Sequence, residues 1–181
     1  YNINVLSTNN QAHRIALNLR EAGRGPQEPG LLREVKAIGW KVEQYDMAQI
    51  SMNLTNYQVT GIHHAYEAAA EEAKRLGVAL AGSEIVGLIP LDAILQAANH
   101  FIEKDNLFIV DEKQKIKLVI EKLGLNSITT FDPNNKIIEY KIFEEPNLPL
   151  ATLSVKNFVK EVAARSSAPG GGSVAALVAS L

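Results

Sequence analysis

Asn2, Ile3, Asn4 and Val5 alternate polar with apolar, the period of a half-buried strand, and a helical spacing takes over directly after them. Thr8 and Gln11 stand at capping-box separation. Ala12, Ile15, Ala16, Leu19 and Ala22 then share one helical face, which runs out at Gly23 and the Gly25-Pro26 break. Val35–Val42 and Ala48–Thr55 read as two strands, and the polar turn Glu43–Asp46 between them is short enough for an antiparallel hairpin. Thr60 is placed to cap a second helix with Ile62, Ala65, Tyr66, Ala69, Ala73 and Leu76 inward. Gly77 closes that helix, and the apolar run Val78–Ile85 reads as a fully covered strand.

The order strand, helix, strand, strand, helix, strand predicts an α+β fold over residues 1–90. It is the split βαβ or ferredoxin-like sandwich, with two helices on one face of a four-stranded antiparallel sheet. Beyond it, Pro90 can start a helix with Leu91, Ile94, Leu95 and Ala98 inward, and Asp111 can cap one carrying Ile116, Val119, Ile120 and Leu123. Both are expected to pack at the sheet's edge. The turn Asp132-Pro133-Asn134-Asn135 leads to an expected strand, Ile137–Phe143. Glu144–Leu150, with Pro146 and Pro149, reads as a semi-rigid linker. Ser154 can then cap a helix bearing Val155, Phe158, Val159 and Val162, and Gly170–Ser173 opens another. The expected division is residues 1–143, a linker over 144–153, and the first helices of an all-α domain over 154–181. Both ends read as cuts in a longer chain, since the first residue is Tyr and Ser173–Leu181 starts a helix with no closing signal.

Composition narrows the classes. With 46% apolar and 21% charged residues in 181, the chain has the makeup of an ordinary water-soluble globular protein. The net charge of −2 comes with scattered basic residues, which argues against a nucleic-acid track or a membrane-surface patch. No apolar stretch is long enough to span a bilayer. Having no cysteine, the chain has no thiolate metal site or cysteine nucleophile, and the expectation of a cytoplasmic protein fits this.

Candidate chemistry follows from strand alternation. If Ala48, Ile50, Met52 and Leu54 face the helices, then Gln49, Ser51, Asn53 and Thr55 face away, joined by Asn2 and Asn4. That face reads as uncharged, polar and rich in amides, able to hydrogen-bond a flat heterocycle with mixed donor and acceptor edges. A solvated sheet face is the plainer alternative. Gly39-Trp40 lies mid-strand, where a glycine marks either close approach of a ligand or a bulge with Trp40 filling the core.

His63 and Glu67 have the i, i+4 spacing of a metal-holding pair. The adjacent His63 and His64 should point about 100° apart on a helix, though, so no metal is expected. These two, and His13 and His100, are read as packed or exposed histidines. The Gly170–Ser173 run lacks a Walker lysine and reads as a helix entry rather than a phosphate loop. Arg20, Arg24 and Arg33 flank the Gly/Pro loop and could meet carboxylates, with a solvated loop as the default.

Tyr1-Asn2-Ile3-Asn4, Ala12-His13-Arg14-Ile15-Ala16, Leu19-Arg20-Glu21 and Ile38-Gly39-Trp40 together resemble the formiminotransferase family. So do Gln49–Leu54, Gly82–Pro90, Glu103–Ile109 and Ile137–Tyr140, while Ala164–Ser173 is similar to the opening of the cyclodeaminase domain. The resemblance implies the folate-binding half of a glutamate formimidoyltransferase. Such an enzyme moves the formimino group of N-formiminoglutamate to tetrahydrofolate in histidine degradation, and is bifunctional with a cyclodeaminase. It also implies that tetrahydrofolate is the substrate and carrier, that an N-terminal transferase subdomain is the partner across a folate tunnel, and that the protein is a homo-oligomer. The family's catalytic histidine and cyclodeaminase aspartate lie outside this chain by the same resemblance, which leaves no catalytic residue here. The expected folate-binding residues are Asn2, Asn4, Gly39, Trp40, Gln49, Ser51 and Asn53. The alternative is a non-catalytic ferredoxin-like ligand-binding or oligomerisation module.

Overall fold

A computed structural model describes residues 1–142, 153–164 and 169–180. The chain divides into two compact units, Tyr1–Ile142 and Phe143–Leu181. Glu144–Leu150, read as a linker, and residues 165–168 lie outside the described residues.

In the first unit the order is β1 (Asn2–Leu6), α1 (Asn9–Leu19), β2 (Val35–Val42), β3 (Met47–Leu54), α2 (Ile62–Arg75) and β4 (Ala79–Glu84). The four strands form an antiparallel sheet in the order β2-β3-β1-β4, the arrangement expected of the split βαβ sandwich. The Thr8 hydroxyl accepts from the Gln11 N–H, and the Gln11 side chain accepts from the Thr8 N–H, so the capping box forms as its spacing predicted. At α2 the cap is Gly61 rather than Thr60, whose hydroxyl instead donates to the Arg33 carbonyl at 2.7 Å. The first core packs Ile3, Val5, Ile50 and Met52 of the sheet against Ile15 and Leu19 of α1 and Ala65 and Ala69 of α2.

The later helices build a second core. Helices α3 (Leu91–Lys104) and α4 (Glu112–Leu123, capped by Asp111) bring Ile94, Phe101, Val119 and Leu123 together with Ile62, Ile89 and Ile137. Gly124, at φ +60, ends α4 and turns the chain along the β4 edge. There the Ser83 N–H donates to the Gly124 carbonyl and the Ser83 hydroxyl to the Leu123 carbonyl at 2.6 Å. Gly82 and Gly124 meet backbone to backbone, since a Cβ on Gly124 would lie 2.9 Å from the Gly82 Cα. In β4 only Gly82 and Ser83 are buried, so the fully covered strand expected at Val78–Ile85 is instead a partly exposed edge strand braced by the α4 turn.

The strand expected at Ile137–Phe143 is not formed among the described residues. Pro133–Lys136 is a helical turn (α5), Ile137 makes one parallel bridge with Ile89, and Ile138–Ile142 is helical again (α6). In this position Glu139 of α6 accepts from the Leu91 N–H at 2.7 Å, at the start of α3, where Pro90 has no side chain to offer.

In the second unit Ser154 accepts from the Asn157 N–H and starts α7 (Val155–Ala163), and α8 (Gly171–Ala179) follows Gly170.

Candidate functional site

Registration fixes which side chains share the face opposite α1 and α2. Trp40 lies beside Gln49 and Gln49 beside Asn4, which makes one transverse row. Ile38, Ser51, Asn2 and Glu84 form the next row, and Lys36 with Asn53 a third. Five of the expected residues, Asn2, Asn4, Gln49, Ser51 and Asn53, therefore stand away from the core-facing Ala48, Ile50 and Met52, and Trp40 joins them.

The face is more varied than its sequence suggested. Lys36 and Glu84 put charge on its margins, and Ile38, Trp40 and Leu6 are exposed apolar groups at 57%, 47% and 58%. Its middle is closed: Asn4 and Gln49 are buried, the Gln49 Nε2 donates to the Asn4 Oδ1 at 2.9 Å, and the Asn4 Nδ2 reaches the Ser127 Oγ at 3.5 Å. Of the expected folate-binding polar residues, those that remain accessible are Asn53, which is exposed, and the half-buried Ser51. A cleft of ≈ 240 Å³ reaches Asn53 from the second core, between Tyr57, Val86 and Leu88.

Gly39 is corrected. It belongs to the helix-covered face opposite Ile50, and a Cβ there would lie 2.1 Å from the His13 backbone nitrogen of α1. The close approach is that of a helix, not a ligand. Pairing through Gly39 is regular; the irregularity sits between Ile3 and Val5 on the β4 side, and Trp40 is on the open face rather than in the core.

Arg20 and Arg24 serve the loop. Arg20 donates to the Gly23 carbonyl at 2.9 Å, and Arg24 holds the Asn18 Oδ1 through two nitrogens at 3.2 and 2.9 Å. Asn18 in turn donates to the buried Glu72 at 2.6 Å, whose other oxygen takes Arg75.

One constellation was not legible in the sequence. His63, His64 and His100 gather with ring centroids 3.9, 4.6 and 5.9 Å apart. Glu67, at i, i+4 spacing from His63, instead bridges His100 at 3.0 Å and Lys104 at 2.6 Å. Burial, followed by the neighbouring His64 and His100, pushes His63 down to about 4, and burial lowers His64 as well. His100 lies 37 positions after His63, and only the packing of α3 against α2 brings it in.

Among the described residues, no helix is long and apolar enough to cross a membrane. Comparison with known proteins fits the two-part layout. A family model described as the formiminotransferase domain matches residues 1–143, and one described as formiminotransferase-cyclodeaminase matches residues 154–181. The formimidoyltransferase-cyclodeaminases of Dictyostelium discoideum and Rattus norvegicus are 54% and 51% identical over 100% of the chain, which covers 34% of each. The glutamate formimidoyltransferase of Thermoplasma acidophilum is 36% identical over 67% of the chain and 38% of its own length. The chain thus spans about a third of the length of the curated relatives it matches. On a domain match across most of its length and identities above half, the chain belongs to the formiminotransferase family.

Proposed function

We propose that this chain is the folate-binding half of a glutamate formimidoyltransferase, in a longer protein that also carries a cyclodeaminase. The observation that carries this reading is the end-to-end similarity to proteins bearing both names, over both units in the same order. The reaction is transfer of the formimino group from N-formiminoglutamate to tetrahydrofolate. A base takes the proton from the folate N5 position as that nitrogen attacks the formimino carbon, and the tetrahedral centre then collapses with the glutamate amine leaving.

In this reading the chain supplies a wall and not the base. Asn53 and Ser51 offer mixed donors and acceptors to a pterin edge, and the exposed Trp40 offers a stacking surface. Asn2, Asn4 and Gln49 sit beneath, where the Asn4–Gln49 bond keeps the strands in register. The ≈ 240 Å³ cleft beside Asn53 is smaller than the ~300–1,000 Å³ of common small-molecule sites, which favours a site completed by another subdomain. Tetrahydrofolate is the substrate and carrier. The N-terminal transferase subdomain closes the tunnel, and the intact protein is a cytoplasmic homo-oligomer. Residues 1–143 form the transferase part, 144–153 a linker and 154–181 the start of the cyclodeaminase.

The test is kinetic, in the longer enzyme containing this chain. Asn53→Ala and Trp40→Leu should raise KM for tetrahydrofolate about tenfold while kcat changes little, the pattern of lost uniform binding. Unchanged KM in both variants would remove this face from the folate site.

A further inference from the structure

Three of the chain's four histidines converge although they come from two helices. His63 and His64 occupy the first turn of α2, His100 lies late in α3, and one ring nitrogen from each is within 4.8 Å of the others. Adjacent helical residues ordinarily diverge, and here the helix start overrides that. The His64 ring folds back so that its Nδ1 accepts from the Gly61 N–H at 3.3 Å, which brings it over His63.

Two independent features give the cluster the character of a ligand set. The first is His100, whose Nε2 faces the Glu67 Oε2 at 3.0 Å while Lys104 anchors the other oxygen. A carboxylate only accepts, so this bond places a proton on Nε2 and, in the neutral ring, leaves the Nδ1 lone pair for a third party, the carboxylate–histidine arrangement that orients metal ligands. The second is His63: the residue is 5% exposed, and its Nδ1 is buried with no hydrogen-bond partner among the described residues. Buried polar atoms left unpaired are rare because they are costly, and each one calls for an explanation.

The geometry points to a divalent transition-metal site of the imidazole-preferring kind, with Zn²⁺ as the reference ion, held by His63, His64 and His100. Glu67 acts as the positioning residue for His100. Tetrahedral zinc with nitrogen ligands at 2.0–2.1 Å sets those nitrogens about 3.3 Å apart, so from separations of up to 4.8 Å the rings must close by up to about 1.5 Å. The exposed His64 must give up its long bond to Gly61 to free a lone pair for the ion, and being held by nothing else among the described residues it has the freedom to make that movement. Three protein nitrogens leave a fourth position for water. The ion ties α2 to α3 and so joins the first core to the second.

The test uses the whole 181-residue chain, without a histidine tag and stripped by a chelator, titrated with Zn²⁺ by calorimetry and followed by imidazole ¹⁵N NMR. One saturable equivalent is expected, with the ring nitrogens of His63, His64 and His100 shifting and those of the exposed His13 unmoved. His100→Gln should weaken binding more than tenfold, Glu67→Gln about tenfold, and His13→Gln not at all. No saturable binding, shifts no larger than those of His13, or wild-type affinity in His100→Gln would overturn the assignment. The NMR measurement on the unsubstituted chain decides the matter even if a variant fails to fold.

Discussion

Gln49 donates from its Nε2 to the Asn4 Oδ1 at 2.9 Å across the β1–β3 pair, with both side chains buried beneath the face opposite the helices. Alternation along Ala48–Thr55 and Asn2–Val5 assigned these amides to that face, but not to each other. A buried amide bonded to another amide costs little while intact and much when halved.

Gln49→Leu should therefore destabilise the chain by about 1–3 kcal/mol, because Asn4 is left with a buried unpaired oxygen. Asn4→Leu should cost a similar amount, and the double variant distinctly less than the sum. Denaturant unfolding of the four proteins in a double-mutant cycle measures this.

Gly39→Ala places a methyl group 2.1 Å from the His13 backbone nitrogen, so α1 must lift from the sheet. The expected loss is about 1–3 kcal/mol in thermal or denaturant unfolding, with folate binding in the assembled enzyme retained at temperatures where the variant is folded. A loss of folate affinity with unchanged stability would return Gly39 to the ligand site.

Asn18→Ala strips the buried Glu72 of the donor at 2.6 Å, leaving only Arg75, which is 68% exposed. Because a buried carboxylate oxygen is then unpaired, about 1.5–3 kcal/mol should be lost. Arg75→Ala should cost less, since its guanidinium stands largely in water.

Asp105 is held below the ordinary carboxylate range chiefly by its hydrogen bond from Lys122. A depressed carboxylate contributes stability above its unfolded pKa and loses it as pH falls through the folded value. In Lys122→Met the Asp105 carboxyl ¹³C titration should move up toward the ordinary aspartate range. An unmoved midpoint would show that this pair does not form in solution.

What could be read in advance follows a physical division. The Thr8–Gln11 box, the Asp111 and Ser154 caps, and the alternation through Ile50 and Met52 are local, so residues three or four apart carry them. Gly39 was misread because Ile38 and Trp40 are apolar on the outward face, which blurs the inward parity of Val35 and Gly39. The strand expected at Ile137–Phe143 was misread because a short, partly apolar run is ambiguous between strand and helix, and the contact it makes, Glu139 accepting from the Leu91 N–H 48 positions away, is tertiary. The pairing of Glu67 with His100 is tertiary in the same way, and no spacing rule contains it.

The most direct test of the folate-wall reading is calorimetric titration of 5-formyltetrahydrofolate into this chain, alone and with the N-terminal transferase subdomain added. Saturable binding only in the presence of that subdomain, weakened about tenfold by Asn53→Ala, is the predicted result. Absence of binding in both mixtures, or binding indifferent to Asn53 and Trp40, would contradict it and favour an assembly role for this face.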